Sequence, residues 1–242
     1  MVSGLAPTSS RGNHSVGASQ AQPRASAATT YRRRESHKPR TSTTAEKEEE
    51  EEEHYYVLTL ATDAAHHDAM SALRKRYFPP TLLKVPAHIS LFRALPGSQL
   101  PTITSDIRSV MLMAAASSQG DEEEEGHKAF PICAQTQTPF RMARGVGVGI
   151  AGLRPAERWF EELQARWRGF LSRQDRARFR GHYTVMNKVD DEQAILRCLE
   201  ELGRGGVKGS EGMVCGMTLW RYDRGWWHHH ETFTFPKNAH SE

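Results

Sequence analysis

Two short stretches of the 242-residue chain share one pattern, Ala87-His88-Ile89-Ser90-Leu91 and Gly181-His182-Tyr183-Thr184-Val185. In each stretch a histidine and a hydroxyl residue alternate with apolar residues. Alternate side chains of a β-strand point to the same face, so each strand would present an imidazole beside a hydroxyl and turn its apolar side chains into the core. The two stretches therefore predict two half-buried strands that carry the same polar pair.

This pattern is more specific than the bare His-x-Ser/Thr spacing. His230-Glu231-Thr232 has the same spacing, but its central residue is charged. When apolar residues are required at both flanking positions, chance accounts for about 0.25 matches in a chain of this composition. Two such matches, with histidines 94 positions apart, therefore indicate a functional repeat.

The same order of predicted elements surrounds both histidines. Apolar periodicity and turn residues predict, in the first half, a strand at 55–60, a helix at 63–77, a strand at 87–92, a helix at 104–116 and strands at 130–137 and 145–150. In the second half they predict a helix from Pro155, a strand at 182–188, a helix at 190–202 with Gly203 as its C-cap, and strands at 213–222 and 226–235 around a turn at 223–225. The sequence thus predicts an α+β fold, bilobal, with two pseudo-symmetric antiparallel-sheet lobes and helices around a central cleft.

Composition sets the domain boundaries. Residues 1–53 are rich in Ser, Ala, Thr, Arg and Gly and end in the acidic run Glu48–Glu53, with too few large apolar residues to offset the entropy of ordering. We therefore expect a disordered tail over 1–53, a folded domain over 54–236 and a short tail over 237–242. Within the domain we expect lobes at roughly 54–150 and 151–236, with an acidic loop insertion at 117–127.

Targeting and redox features are sparse. No stretch approaches the roughly 20 apolar residues of a membrane helix, and the N-terminus lacks the apolar core of a secretory signal. The three cysteines, Cys133, Cys198 and Cys215, have no metal-like spacing and suit a reducing compartment. These features predict a cytoplasmic or nuclear monomer without membrane association. The first 34 residues contain arginines and no acid, which leaves mitochondrial import as the alternative.

The charge of the chain suits a phosphate-bearing partner. The net charge is +3, and the tail to Glu53 holds eight basic and eight acidic residues, so the body of the chain keeps that +3. Basic surfaces attract phosphates, although solvated lysines and arginines are also ordinary surface residues.

Two imidazoles and two hydroxyls around one phosphate are the groups that phosphodiester hydrolysis needs. A neutral histidine takes a proton from water and a protonated one gives a proton to the departing ribose oxygen, and the histidine pKa near 6.5 makes both forms available. Hydroxyls donate hydrogen bonds to the phosphate oxygens as their charge grows. We therefore predict His88 and His182 as catalytic residues and Ser90 and Thr184 as phosphate ligands, without a metal or cofactor.

The two motifs and the closing segment, Leu219-Trp220-Arg221-Tyr222 followed by Gly225-Trp226 and Phe233, resemble the two-histidine phosphoesterase superfamily, whose members include 2′-5′ RNA ligase-like proteins. The resemblance covers about residues 55–235. It implies a bilobal fold, one histidine as acid and the other as base, and phosphodiesterase activity on 2′,3′-cyclic phosphates or 2′-5′ linkages of nucleotides or RNA 3′ ends. Ligation is the reverse of that reaction.

Some neighbouring residues have two interpretations. Arg180 and Tyr183 are further candidates for substrate contacts. Arg180 is two residues before His182 and would share its face of the strand, while Tyr183 lies inside the second motif. The other interpretation for Arg180 is a solvated position at the end of the strand.

The glycine-rich run 145–149 lacks the spacing of a phosphate-binding loop and is interpreted as a strand. His228–His230 cannot converge on a metal from one strand. Trp220, Trp226 and Trp227 suit either base stacking or hairpin packing.

Two rival functions stay open at this point. One is a nucleotide- or RNA-binding module that keeps the cleft without significant catalysis, although both motifs are intact. The other is a scaffold whose charged low-complexity segments recruit partners, in which case the tail alone carries function.

Overall fold

The computed structural model describes residues 54–116, 129–205, 207 and 210–235. The predicted tail at 1–53, the predicted acidic insertion at 117–127 and the predicted tail at 237–242 lie outside the described residues.

In the described residues, eight antiparallel strands form one sheet in the order β2-β1-β7-β3-β5-β4, with β6 on β5 and β8 on β7. Their bounds are β1 Tyr55–Thr62, β2 Ser90–Pro96, β3 Phe130–Ala134, β4 Phe140–Met142, β5 Gly145–Ala151, β6 His182–Met186, β7 Glu211–Asp223 and β8 Trp226–Thr234. The predicted α+β class is confirmed. The two halves of the chain interleave, because β7 from the second half pairs with β1 and β3 from the first, so the pairing does not follow a division at residue 150.

The part of the chain that the structure describes has four α-helices, which pack on the sheet: α1 Ala64–Tyr77, α2 Leu100–Ala116, α3 Arg154–Trp167 and α4 Glu192–Arg204. Two short 3₁₀ helices lie at Pro80–Leu82 and Gly97–Gln99. α1 begins where the Asp63 side chain accepts a hydrogen bond from the His66 amide, the usual function of an N-cap carboxylate. No helix of the described residues is long and apolar enough to cross a membrane.

The order of elements agrees with the predicted repeat, apart from three details. The short strand β4 has no counterpart in the prediction. His88 lies two residues before β2 begins, so the first motif enters its strand only at Ser90. Gly203 is inside α4, which continues to Arg204 and is capped by Gly205, so the predicted C-cap is wrong. A glycine inside a helix is tolerated at modest cost, which allowed the helix to extend by two residues.

The core joins α3 to the strand of the first motif. Trp159, Leu163 and Trp167 recur every four residues along α3 and are buried. Phe92 of β2 stacks on Phe160 with ring centroids 4.8 Å apart and meets the edge of Trp167 at 5.0 Å. This aromatic contact fixes β2 against α3 and leaves the other face of β2 for the site.

The hairpin of β7 and β8 closes at Arg224 and Gly225, as predicted for residues 223–225. Both turn residues have positive φ, 47° and 94°, which is the geometry of a type I′ turn and matches the twist of the paired strands. The hairpin carries Tyr222 and Trp227 to the site described below.

Candidate active site

One cavity of about 280 Å³ gathers the polar residues of both motifs. Six of its polar side chains form three pairs, each separated by 94 positions in the sequence: His88 with His182, Ser90 with Thr184, and Arg93 with Asn187. The predicted residues His88, Ser90, His182 and Thr184 are thus brought together. Arg93 and Asn187 were missed by the sequence analysis.

A repeated β-bulge explains why the third pair reaches the cavity. On β2, Thr59 pairs with Ser90 and Leu58 with Phe92, so Leu91 is an extra residue without a partner on β1. On β6, Gly147 pairs with Thr184 and Val146 with Met186, so one residue between Thr184 and Met186, Val185, is extra in the same way. A bulge reverses the alternation of faces. The residue three positions after each hydroxyl therefore lies on the hydroxyl's own face.

Both imidazole rings are oriented by the same kind of hydrogen bond, from Nδ1 to the carbonyl oxygen two residues earlier. The Nδ1 atom of His88 lies 2.9 Å from the carbonyl oxygen of Pro86, and that of His182 lies 2.8 Å from the carbonyl oxygen of Arg180. A carbonyl oxygen only accepts, so each Nδ1 carries a proton and donates it. Nε2 is then the nitrogen on each ring that is left to accept or donate a proton.

The surroundings of the two rings differ. His88 lies against Trp227 of β8, with ring centroids 4.4 Å apart, whereas His182 meets the edge of Phe140 at 5.8 Å. Burial lowers the pKa of His88 to about 4, and the positive charges of Arg74, Arg93 and His182 add to this, while the bond to Pro86 opposes it. At physiological pH His88 is therefore neutral, the form in which its Nε2 can accept a proton.

The Arg74 side chain of α1 forms hydrogen bonds to the backbone at both motifs. This buried side chain donates from Nε to the carbonyl oxygen of Val85, at 3.3 Å, and from Nη1 to the carbonyl oxygen of Thr184. Its guanidinium lies 3.9 Å from the ring centre of Phe78. Burial lowers its pKa to about 10, so it remains charged at neutral pH. Arg74 thus fixes the segment before His88 relative to the strand of His182.

The Asp175 side chain binds the backbone of β2 just after the bulge. Its carboxylate is buried and accepts hydrogen bonds from the amides of Arg93 and Ala94, at 2.9 and 3.1 Å, and from the Ser172 hydroxyl. These bonds satisfy two backbone amides and fix the backbone from which the Arg93 side chain extends into the cavity. The sequence offered no signal for this contact because Asp175 is about 80 residues away from its partners.

Two other predicted substrate contacts lie elsewhere. Tyr183 is buried on the opposite face of β6, and its hydroxyl lies 3.0 Å from Nε2 of His66 in α1, so its side chain lies outside the cavity of the two motifs. Strand alternation sends the residue between His182 and Thr184 into the core. The side chain of Arg180 is exposed and lines a separate surface recess, with Arg154 and Arg178, while its carbonyl oxygen holds His182.

The structure also shows where the remaining candidate residues lie. The glycine-rich run forms β5, as predicted. His228, His229 and His230 contact different neighbours, namely Asp223, Thr232 and Tyr56. Among the described residues there is no group of three or more His, Cys, Asp or Glu side chains placed to hold a metal ion. Trp226 is exposed beside Lys84. Trp220 lines a second cavity of about 190 Å³, which shares His88 and Trp227 with the first.

The comparisons with known proteins agree with this picture. Residues 62–226 match the model of a protein family described as the 2′-5′ RNA ligase superfamily. No curated protein matches the chain by sequence.

Similar solved structures include LigT from E. coli in two complexes, both 12% identical to the chain. The 3′-AMP complex has a TM-score of 0.49, covering 77% of this chain and 100% of LigT. The ATP complex has a TM-score of 0.43, covering 76% and 99%. Usb1 from Kluyveromyces marxianus with uridine monophosphate is 12% identical with a TM-score of 0.35, covering 76% of this chain and 98% of Usb1.

Proposed function

Because the chain belongs to the 2′-5′ RNA ligase superfamily, we propose that it is a metal-independent phosphodiesterase acting on 2′,3′-cyclic phosphates or 2′-5′ linkages of nucleotides or RNA ends. Phosphodiester chemistry is the activity of this superfamily. The observation that carries the proposal for this chain is the single cavity in which three polar pairs from the two motifs meet.

In the proposed mechanism, the cavity binds one phosphate between the two motifs. The hydroxyls of Ser90 and Thr184 donate to its non-bridging oxygens, and the guanidinium of Arg93 offsets the negative charge that grows on them. Arg93 has no acidic partner among the described residues, so its charge is available to the phosphate. Asn187 contributes an amide donor from the equivalent position of the second motif.

The two histidines divide the proton transfers. His88, neutral at physiological pH, takes a proton from water through Nε2, and the oxygen of that water attacks phosphorus. His182 gives its Nε2 proton to the ribose oxygen as the phosphorus–oxygen bond breaks. The bonds from Nδ1 to the two carbonyl oxygens keep both rings aimed during this exchange. In ligation the 5′ hydroxyl of a second RNA end takes the place of water. His88 accepts its proton, its oxygen bonds to phosphorus, and the ribose 3′ oxygen leaves with the proton from His182, so that a 2′-5′ linkage forms.

The proposal is tested by a substrate panel with the purified full chain in EDTA. The panel comprises 2′,3′-cyclic mononucleotides, a 2′-5′-linked dinucleotide and 3′,5′-cyclic mononucleotides. We expect turnover of the 2′,3′-cyclic or 2′-5′ compounds and none of the 3′,5′-cyclic ones. Binding of these compounds without turnover would instead support the nucleotide- or RNA-binding module. Turnover that EDTA abolishes and one divalent ion restores would contradict the metal-independent mechanism.

A further inference from the structure

A loop rich in arginine leads from α3 to the strand of the second motif and contacts the strand of the first. Residues 168–181, here called the arginine loop, run from the end of α3 to the residue before His182. The loop contains five arginines and one acid, and that acid is the buried Asp175. The five arginines, all exposed, are Arg168, Arg173, Arg176, Arg178 and Arg180.

The charges of these arginines are not neutralised within the described part of the chain. None of the five has a carboxylate partner there. Seven arginines elsewhere on the surface are each ion-paired with an acid, although Arg93, Arg154 and Arg158 are not paired with any described acid. The seven are Arg76, Arg108, Arg141, Arg144, Arg166, Arg197 and Arg204. The arginine loop is therefore a segment in which several positive charges lie close together in sequence without ion-pair partners among the described residues.

The loop is adjacent to the candidate active site at two points. The carboxylate of Asp175 bonds to the amides of Arg93 and Ala94, which places the middle of the loop beside the first motif. Near the end of the loop, the carbonyl oxygen of Arg180 lies 2.8 Å from Nδ1 of His182 and orients that ring. Successive Cα atoms are 3.8 Å apart, so Arg178 and Arg180 lie within a few residues' reach of the second motif.

The loop also lines a recess outside the catalytic cavity. Arg178 and Arg180 line it together with Arg154 at the start of α3, and its volume is about 390 Å³. Glu157 is the one acid among its lining residues, against three arginines. Such a surface favours an anion with several regularly spaced charges, since each phosphate that an arginine neutralises releases a condensed counterion.

We infer that the arginine loop and Arg154 form a track for the sugar-phosphate backbone of single-stranded RNA, which places the terminal phosphodiester of an RNA strand in the catalytic cavity. This inference rests on the proposed function and narrows it, because a mononucleotide has no further phosphates to reach the track. Guanidinium groups suit phosphate oxygens because their donors are planar and paired. Contacts of this kind are independent of base sequence.

The test compares two substrates in the full chain. One is a 2′,3′-cyclic mononucleotide, and the other is a ten-nucleotide single-stranded RNA that ends in a 2′,3′-cyclic phosphate. In the test variant Arg154, Arg176 and Arg178 are replaced by Gln. In the matched control Arg76, Arg197 and Arg204 are replaced by Gln, which removes the same charge from ion-paired positions.

We expect kcat/KM of the test variant to fall at least tenfold for the RNA and to stay within twofold for the mononucleotide, while the control changes neither by more than twofold. The slope of log kcat/KM against log salt for the RNA should become shallower by up to about 2, because each lost contact to a single strand contributes about 0.7.

Equal effects on the two substrates, or no effect on the RNA, would overturn the inference. Failure of the proposed function is separate, since the wild-type protein would then turn over neither substrate.

Discussion

The imidazole of His88 lies against the indole of Trp227, with their ring centroids 4.4 Å apart and their planes tilted by 48°. Trp227 belongs to the terminal hairpin, so the last strand of the chain shields the first motif from water. This shielding is part of the burial that lowers the pKa of His88 to about 4.

The first prediction concerns this contact and the pH dependence of kcat/KM. A base must be deprotonated, so activity falls as pH drops through the pKa of His88, and the acid limb should lie well below the ordinary histidine value near 6.5. Trp227→Leu admits water, favours the charged imidazole and should move that limb upward. The control is Trp226→Leu, whose side chain is 53% exposed and lies outside both cavities. An unmoved acid limb in Trp227→Leu would argue against His88 as the base.

The second prediction concerns the two hydroxyls. Ser90→Ala and Thr184→Ala should each lower kcat by about 10²–10³-fold, because each removes one donor to the transition-state phosphate, worth roughly 2.7–4 kcal/mol in comparable sites. Thermal unfolding should change little, since both side chains face the cavity. Thr104→Ala on α2 is the control, because its hydroxyl bonds only to carbonyl oxygens of its own helix. A variant within threefold of wild type would remove that hydroxyl from the site.

The third prediction concerns Arg74 as a positioning residue. Arg74→Met leaves the carbonyl oxygens of Val85 and Thr184 without this donor, and we expect the free energy of unfolding to fall by about 1–3 kcal/mol. It also removes a positive charge that lowers the pKa of His88, so the acid limb should shift upward. A merely structural role would change stability and leave the limb in place. The exposed, ion-paired Arg76→Met is the control.

The fourth prediction separates Tyr183 from the site. Tyr183→Phe removes the hydrogen bond to His66 and should lower the free energy of unfolding by about 0.5–1.5 kcal/mol. Because the side chain is buried on the far face of β6, kcat/KM should stay within threefold of wild type. A large loss of activity at unchanged stability would return Tyr183 to the substrate contacts.

Local patterns in the sequence were enough to predict the elements other than β4 and four of the six paired cavity residues. Period-two alternation identified the motif strands, and helical spacing of Trp159, Leu163 and Trp167 identified α3. Arg93 and Asn187 were missed because a regular strand places a residue three positions away on the opposite face, and a bulge is a property of strand pairing. Asp175 and Arg74 act through contacts distant in sequence, which periodicity cannot reveal.

The interleaving of the two halves was also missed because it depends on contacts between residues that are distant in sequence. The repeat of elements predicted two lobes in chain order, yet β7 pairs with β1 over eight register positions. Which strands become neighbours depends on burial of their common faces in three dimensions, which the local pattern of one strand does not specify.

The most direct measurement of the central claim is a double-mutant cycle on His88 and His182, using kcat/KM for the best substrate of the panel in EDTA. We predict that His88→Ala and His182→Ala each lose about 10²–10⁴-fold, and that the double variant loses less than the product of the two, because both histidines act in one step. Full activity of His88→Ala beside an inactive His182→Ala would contradict the two-histidine mechanism and leave a site with a single base.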